Sequence, residues 1–105
     1  MYQIKTYTLR TTGALHQYAT VHWPRHIVGM PKFGVTVHGF WTDDQAGAHR
    51  LIALISFRED VDPAEFLAAY GASPELAADM RGFDVSDILG VEDLLLDPVA
   101  GSPLT

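Results

Sequence analysis

The chain has 105 residues, 48% of them hydrophobic and 19% charged, with no cysteine and a formal net charge of −6. That length suits one domain, and the hydrophobic content is too high for a disordered chain. The missing cysteines exclude a disulfide scaffold, a thiolate zinc site and a cysteine nucleophile, and no apolar run approaches the ~20 residues that span a bilayer.

Residues 2–10 are rich in β-branched and aromatic types and read as a strand that begins too soon for a signal peptide. One face carries Tyr2, Ile4, Thr6 and Thr8; the other carries Gln3, Lys5, Tyr7 and Leu9. Both faces mix polar and apolar groups, so the strand alone does not say which one meets helices. Thr12 is the expected helix N-cap after it. From Ala14, the residues Leu15, Tyr18, Ala19, His22, Trp23, His26 and Ile27 recur at helical spacing. Pro24 lies inside this run and predicts a kink or break, and Gly29 with Pro31 predicts the stop.

Residues 34–42 read as a second strand, with Val35, Val37, Gly39 and Trp41 on one face and Thr36, His38, Phe40 and Thr42 on the other. Gly39 marks a bulge or a close backbone approach. After a turn at 43–47, residues 48–58 form the most apolar strand, which predicts a central position. Asp62-Pro63-Ala64-Glu65 starts a helix that Gly71 stops; Ser73-Pro74-Glu75 starts a second that ends near Arg81. The last strand lies within 86–96, and residues 99–105 form a tail without a period.

This order, β-α-β-β-α(α)-β, predicts an α+β ferredoxin-like split βαβ fold with a four-stranded antiparallel sheet. With helices on one face only, apolar groups such as Val37, Trp41, Ile52 and Leu54 exceed what one layer covers. The expected cover is a second copy.

The stretch Tyr2–Arg10 with its turn and helix resembles the opening of NIPSNAP-type domains. Gly39-Phe40-Trp41-Thr42 and Leu94-Leu95-Leu96-Asp97-Pro98 with Ser102-Pro103-Leu104 are similar to the same family. Residues 61–84 depart from that family's tract around an Asp-Pro and a Trp. His22-Trp23-Pro24-Arg25-His26 also resembles the EthD-like branch, in which a Trp and a His on the first helix face a cleft. The resemblance implies a domain over residues 1–98, followed by the tail, that forms a dimeric α/β barrel with a pocket in each half. It fixes no single reaction.

Charge is uneven: six basic against two acidic residues in 1–58, and one against eleven in 59–105. Without a basic stripe, neither nucleic acid nor an anionic membrane is an expected partner. The expected setting is the cytoplasm.

His22 and His26 share a helix face at i, i+4, but a metal needs a third ligand and no His-Glu-x-x-His pattern exists, so no metal is assigned. Either imidazole suits general acid–base work. Tyr7 and His38 are candidates to orient a carbonyl or hydroxyl. Trp23 and Trp41 are candidate walls for a flat apolar or aromatic ligand, and Arg50 a candidate anion anchor. No phosphate loop, nucleophile elbow or dinucleotide fingerprint is present, and no cofactor is assigned.

The expected function is that of a homodimeric small-molecule enzyme. Cofactor-independent oxygenation or cyclisation of an aromatic or polyketide-like compound fits the resemblance, with a helix-1 histidine moving the proton. The alternatives are a non-catalytic ligand-binding or assembly module, and haem handling with a histidine as axial ligand.

Overall fold

In the computed structural model, which describes residues 1–104, four strands form one antiparallel sheet: β1 (Tyr2–Leu9), β2 (Val35–Asp43), β3 (Arg50–Phe57) and β4 (Ile88–Leu96). The strand order β2-β3-β1-β4 is that of the ferredoxin-like split βαβ arrangement, as the sequence predicts. The apolar strand β3 is central, between β2 and β1. Its alternation is strict: Leu51, Ala53, Ile55 and Phe57 are buried under the helices, while Ile52 and Leu54 on the opposite face stay half-buried.

The sheet register settles the two faces of β1. Lys5 pairs across with Ala53 and Tyr7 with Leu51, so Gln3, Lys5, Tyr7 and Leu9 face the helices. Tyr2, Ile4, Thr6 and Thr8 face outward.

Helix α1 (Thr12–Gln17) is capped by Thr11 rather than Thr12: the Thr11 Oγ1 accepts the Ala14 N–H at 3.0 Å. The predicted interruption at Pro24 is a π-helical turn over Tyr18–His22, after which α2 (Trp23–Gly29) resumes with Pro24 in its first turn. Proline lacks the donor that would continue the ladder, and its ring crowds the preceding turn; the wider π turn absorbs both. The Thr20 hydroxyl bonds back to His16 O at 2.7 Å within it. Around this junction Tyr18, His22, Trp23 and His26 all point inward.

Helices α3 (Pro63–Gly71) and α4 (Pro74–Asp79) are capped as expected: the Asp62 carboxylate accepts the Glu65 N–H at 3.0 Å, and Ser73 Oγ accepts the Leu76 N–H at 3.1 Å. Helix α4 is a little shorter than predicted. Its C-terminal carbonyls are gathered by Arg25, whose Nη1 donates to Asp79 O and Arg81 O at 3.2 Å each.

The bulge predicted at Gly39 is present between Val37 and Gly39. It inserts one residue and reverses the strand's phase. Val37 faces the helices, but beyond the bulge Phe40 does so, packing on Trp23 with ring centroids 5.8 Å apart. Trp41 therefore lies on the outer face, opposite Val37 and not beside it as strict alternation predicts, and is 58% exposed. A Cβ at residue 39 would stand 2.8 Å from the Trp41 ring, so glycine there also serves a close approach.

The tail turns at 99–102, where the Ser102 N–H meets Val99 O at 2.8 Å. Ser102 and Leu104 then border a hollow on the outer face with Tyr2, Ile4, Leu54 and Leu96. Thr105 lies outside the described residues.

Candidate active site

Between the sheet and the helices lies a cavity of about 250 Å³. Its floor is Lys5 and Tyr7 of β1; its walls are Tyr18, His26, Met30, Phe66, Tyr70, Leu76, Met80 and Ile88. The lining is mostly apolar with a few polar groups aimed inward, the usual make-up of a small-molecule site.

His26 is the polar centre. Its Nδ1 lies 2.6 Å from the Tyr70 hydroxyl, and that hydroxyl donates to Asp79 Oδ2 at 2.5 Å. Asp79 Oδ2 is also 3.3 Å from Nδ1. Tyr70 has one proton to give and gives it to the carboxylate, so its oxygen accepts from His26 Nδ1–H. This fixes the tautomer: the proton sits on Nδ1 and the lone pair on Nε2. Nε2 makes no hydrogen bond among the described residues, which leaves it for a ligand.

Burial lowers the pKa of His26 below its ordinary 6.5, hydrogen bonding and attraction from Asp79 oppose the shift, and His22 adds to it. The neutral imidazole is therefore the form present near neutrality. Burial likewise raises Tyr70, with Asp79 reinforcing, and pushes Tyr18 up to about 12. Tyr7 is raised well above the usual phenol range, first by burial and then by neighbouring Tyr18. All three phenols keep their protons at working pH.

The shift at His26 has a consequence for stability. The unfolded chain takes up a proton here as the pH falls through about 6.5, while the folded chain resists it, so stability is lost as the solution acidifies through and below that value. Asp44, lowered chiefly by its bond to His49, and Asp84, lowered chiefly by Ser86, contribute only further down, in the carboxylate range. The urea midpoint is expected to fall between about pH 7.5 and about pH 5.5, and the fall is expected to shrink in His26→Gln. Equal slopes in both proteins would contradict the lowered pKa.

A close approach holds the carboxylate in place. An alanine Cβ at Gly29 would stand 2.5 Å from Asp79 Oδ2 and 3.3 Å from the Tyr70 hydroxyl. Gly29 has ordinary helical backbone angles, so alanine there gains about 1 kcal/mol of helix propensity but displaces the acid. In urea unfolding, Gly29→Ala is expected to stabilise the Asp79→Ala background by about 1 kcal/mol and to give none of that gain in the native background. Equal effects in the two backgrounds would place the carboxylate elsewhere.

The other residues singled out in the sequence fall into three places. Tyr7 joins His26 at the cavity. His22 is fully buried beside it, with both ring nitrogens engaged: Nδ1 donates to Asp79 O at 2.8 Å and Nε2 meets Gln17 Nε2 at 3.1 Å. It ties α4, and with it Asp79, to the first helical segment. Trp23 is fully buried against His26, Tyr7 and Tyr18, behind the cavity wall. His38, Trp41 and Arg50 lie on the outer face. His38 Nε2 is 2.7 Å from Ser56 Oγ with its ring beside Tyr2, and Arg50 pairs with Asp43 at 3.1 Å. One chain therefore does not bring them to the same cavity as His26 and Tyr7. Among the described residues no group of three or more His, Asp or Glu side chains is placed to hold a metal ion, and no helix is long and apolar enough to cross a membrane.

Sequence reasoning missed Tyr70, Asp79 and Lys5. Asp79 carried a signal: it ends a helix, where the backbone dipole disfavours a carboxylate.

No protein-family model matches the sequence, and no curated protein is significantly similar to it. Solved structures are similar. An Agrobacterium tumefaciens protein, Atu4242, described as a NIPSNAP family protein with unknown function, superposes with a TM-score of 0.75 at 24% identity, covering 99% of this chain and 98% of that one. An uncharacterized NIPSNAP domain protein from Burkholderia xenovorans gives 0.73 at 18% identity, covering 97% of each chain. A second A. tumefaciens NIPSNAP family protein, Atu5224, gives 0.68 at 18% identity over the whole of both chains. The chain thus has the fold of NIPSNAP domains, as the resemblance in its sequence implies.

Proposed function

We propose that this chain is a small-molecule enzyme in which His26 Nε2 takes a proton from a bound apolar or aromatic compound. The observation that carries the reading is the chain of bonds His26–Tyr70–Asp79, which presents a neutral, oriented imidazole to an apolar cavity. Asp79 stabilises the imidazolium as it forms, and Tyr70, bonded to both, fixes the ring. The carbanion or enolate produced is the species that a cyclisation or a cofactor-independent oxygenation consumes.

The working form in this reading is a homodimer in the cytoplasm. Trp41 at one edge of the outer sheet face and Leu94 at the other stand more than half exposed, with Leu96 on the same strand as Leu94, and a second sheet would cover them. The acidic balance supports a small-molecule partner over nucleic acid.

The test is to incubate the protein in D₂O with a panel of small aromatic ketones and phenols and follow deuterium uptake by mass spectrometry. Uptake above the buffer rate, from a dimer by native mass spectrometry, supports the reading. A compound that binds but exchanges no faster than in buffer points to a binding module. The absence of both binding and exchange removes the proposal.

A further inference from the structure

Lys5 is an unusual lining residue. It sits in the middle of a central strand, its side chain is only 6% exposed, and it is the one Lys or Arg among the residues lining the cavity. Its Nζ donates to Asp93 Oδ1, its register partner on β4, at 2.8 Å, and lies 5.9 Å from the centre of the Tyr7 ring. An ammonium carries three donors. The bond to Asp93 is its one hydrogen bond among the described residues, so two donors have no protein partner on a residue that lines the cavity. Asp93 itself is 35% exposed and borders a separate hollow between β4 and the start of α3. The ammonium thus stands between a solvent-reached carboxylate and an apolar chamber. A buried ion pair is weak evidence for stability, since desolvation offsets much of the attraction. A methionine would fill the same position without that cost.

We infer that the cavity takes a ligand with an acidic or enolisable oxygen function, a phenol, enol or ketone, and that Lys5 holds that oxygen. The inference rests on the reading of the cavity as a proton-transfer site and names its substrate class. His26 Nε2 removes a proton from carbon or oxygen; the electron pair of the broken bond comes to rest on the ligand oxygen; Lys5 Nζ donates a hydrogen bond to that oxyanion and keeps its own proton. Return of the proton from His26 closes the cycle, so nothing is oxidised or reduced. A buried cation aimed at the developing charge is worth more than the same group in water. Size restricts the ligand further. An apolar cavity of about 150 Å³ holds benzene, so about 250 Å³ admits a substituted single ring or a small fused pair.

The probe is 4-nitrophenol, whose colour reports its ionised form, against nitrobenzene as the uncharged counterpart, at mildly alkaline pH. The protein is expected to bind the phenolate about tenfold more tightly than nitrobenzene. Lys5→Met is expected to abolish that preference while nitrobenzene binding persists. Asp93→Asn, which leaves the ammonium and removes its competing carboxylate, is expected to tighten phenolate binding. The second variant carries the test if Lys5→Met fails to fold by circular dichroism. Equal binding of both probes by the native protein, or a preference unchanged in Lys5→Met or Asp93→Asn, overturns the role of Lys5 and leaves that of His26 standing. Binding of neither probe overturns the cavity reading beneath both.

Discussion

Glutamine in place of His26 is expected to slow deuterium transfer to a bound substrate by about 10²–10⁴-fold, with the fold intact. Glutamine offers an amide where the imidazole stood. It hydrogen-bonds to the Tyr70 hydroxyl and fills most of the ring's volume, but it does not take a proton near neutral pH. The loss should fall on kcat, because the proton moves only in the transition state. In the native protein the same rate should hold through the ordinary imidazole range and decline only below about 6.5, because burial lowers the pKa of His26. His26→Gln should show no such limb. A variant with native rate and native pH profile would remove His26 from the chemistry, and the oriented tautomer would then be a packing arrangement only.

His26 was legible in the sequence because its helix has a strong period and because histidine titrates near neutrality. Its partners were not. Tyr70 is 44 residues away and Asp79 53 away, and only the tertiary fold brings α3 and α4 against α2. Local signals did reach most of the fold. Asp62 and Ser73 each precede a proline and cap their helices, and the apolar run of β3 announces a central strand. The bulge at Gly39 is legible too, but strict alternation sets Trp41 on the same face as Val37. One inserted residue exchanges the faces beyond it, so Trp41 goes to the outer surface and Phe40 to the core, while His38 stays outside beside Ser56. Lys5 was hidden for another reason. Both faces of β1 mix polar and apolar groups, so nothing in the strand itself places Lys5 under the helices until the register sets it beside Ala53 and Asp93.

Trp23→Ala is expected to cost about 3–5 kcal/mol of folding stability, a large part of the roughly 5–15 kcal/mol that holds a domain together. Trp23 is fully buried where the π turn passes into α2, and its ring meets Tyr7, Tyr18, His26 and Phe40 with centroids 4.9 to 6.2 Å apart. These neighbours come from β1, β2 and the first helical segments, so the space left by alanine does not close by movement of one element. The Trp23 indole N–H makes the complementary case. It is buried without a hydrogen bond of good geometry among the described residues, although it lies close enough to the Tyr18 oxygen to lower that phenol's pKa against the effect of burial. Phenylalanine keeps most of the ring and removes that unsatisfied donor, whose burial costs about 1–3 kcal/mol. Trp23→Phe is therefore expected to lose well under half of what alanine loses. Urea unfolding followed by circular dichroism separates the two, since Trp41 remains as a fluorophore and would confuse an emission signal. Equal losses would show that the N–H does hold the fold through Tyr18. A loss below about 1 kcal/mol in Trp23→Ala would show that the aromatic cluster is not the element that sets His26 against the cavity.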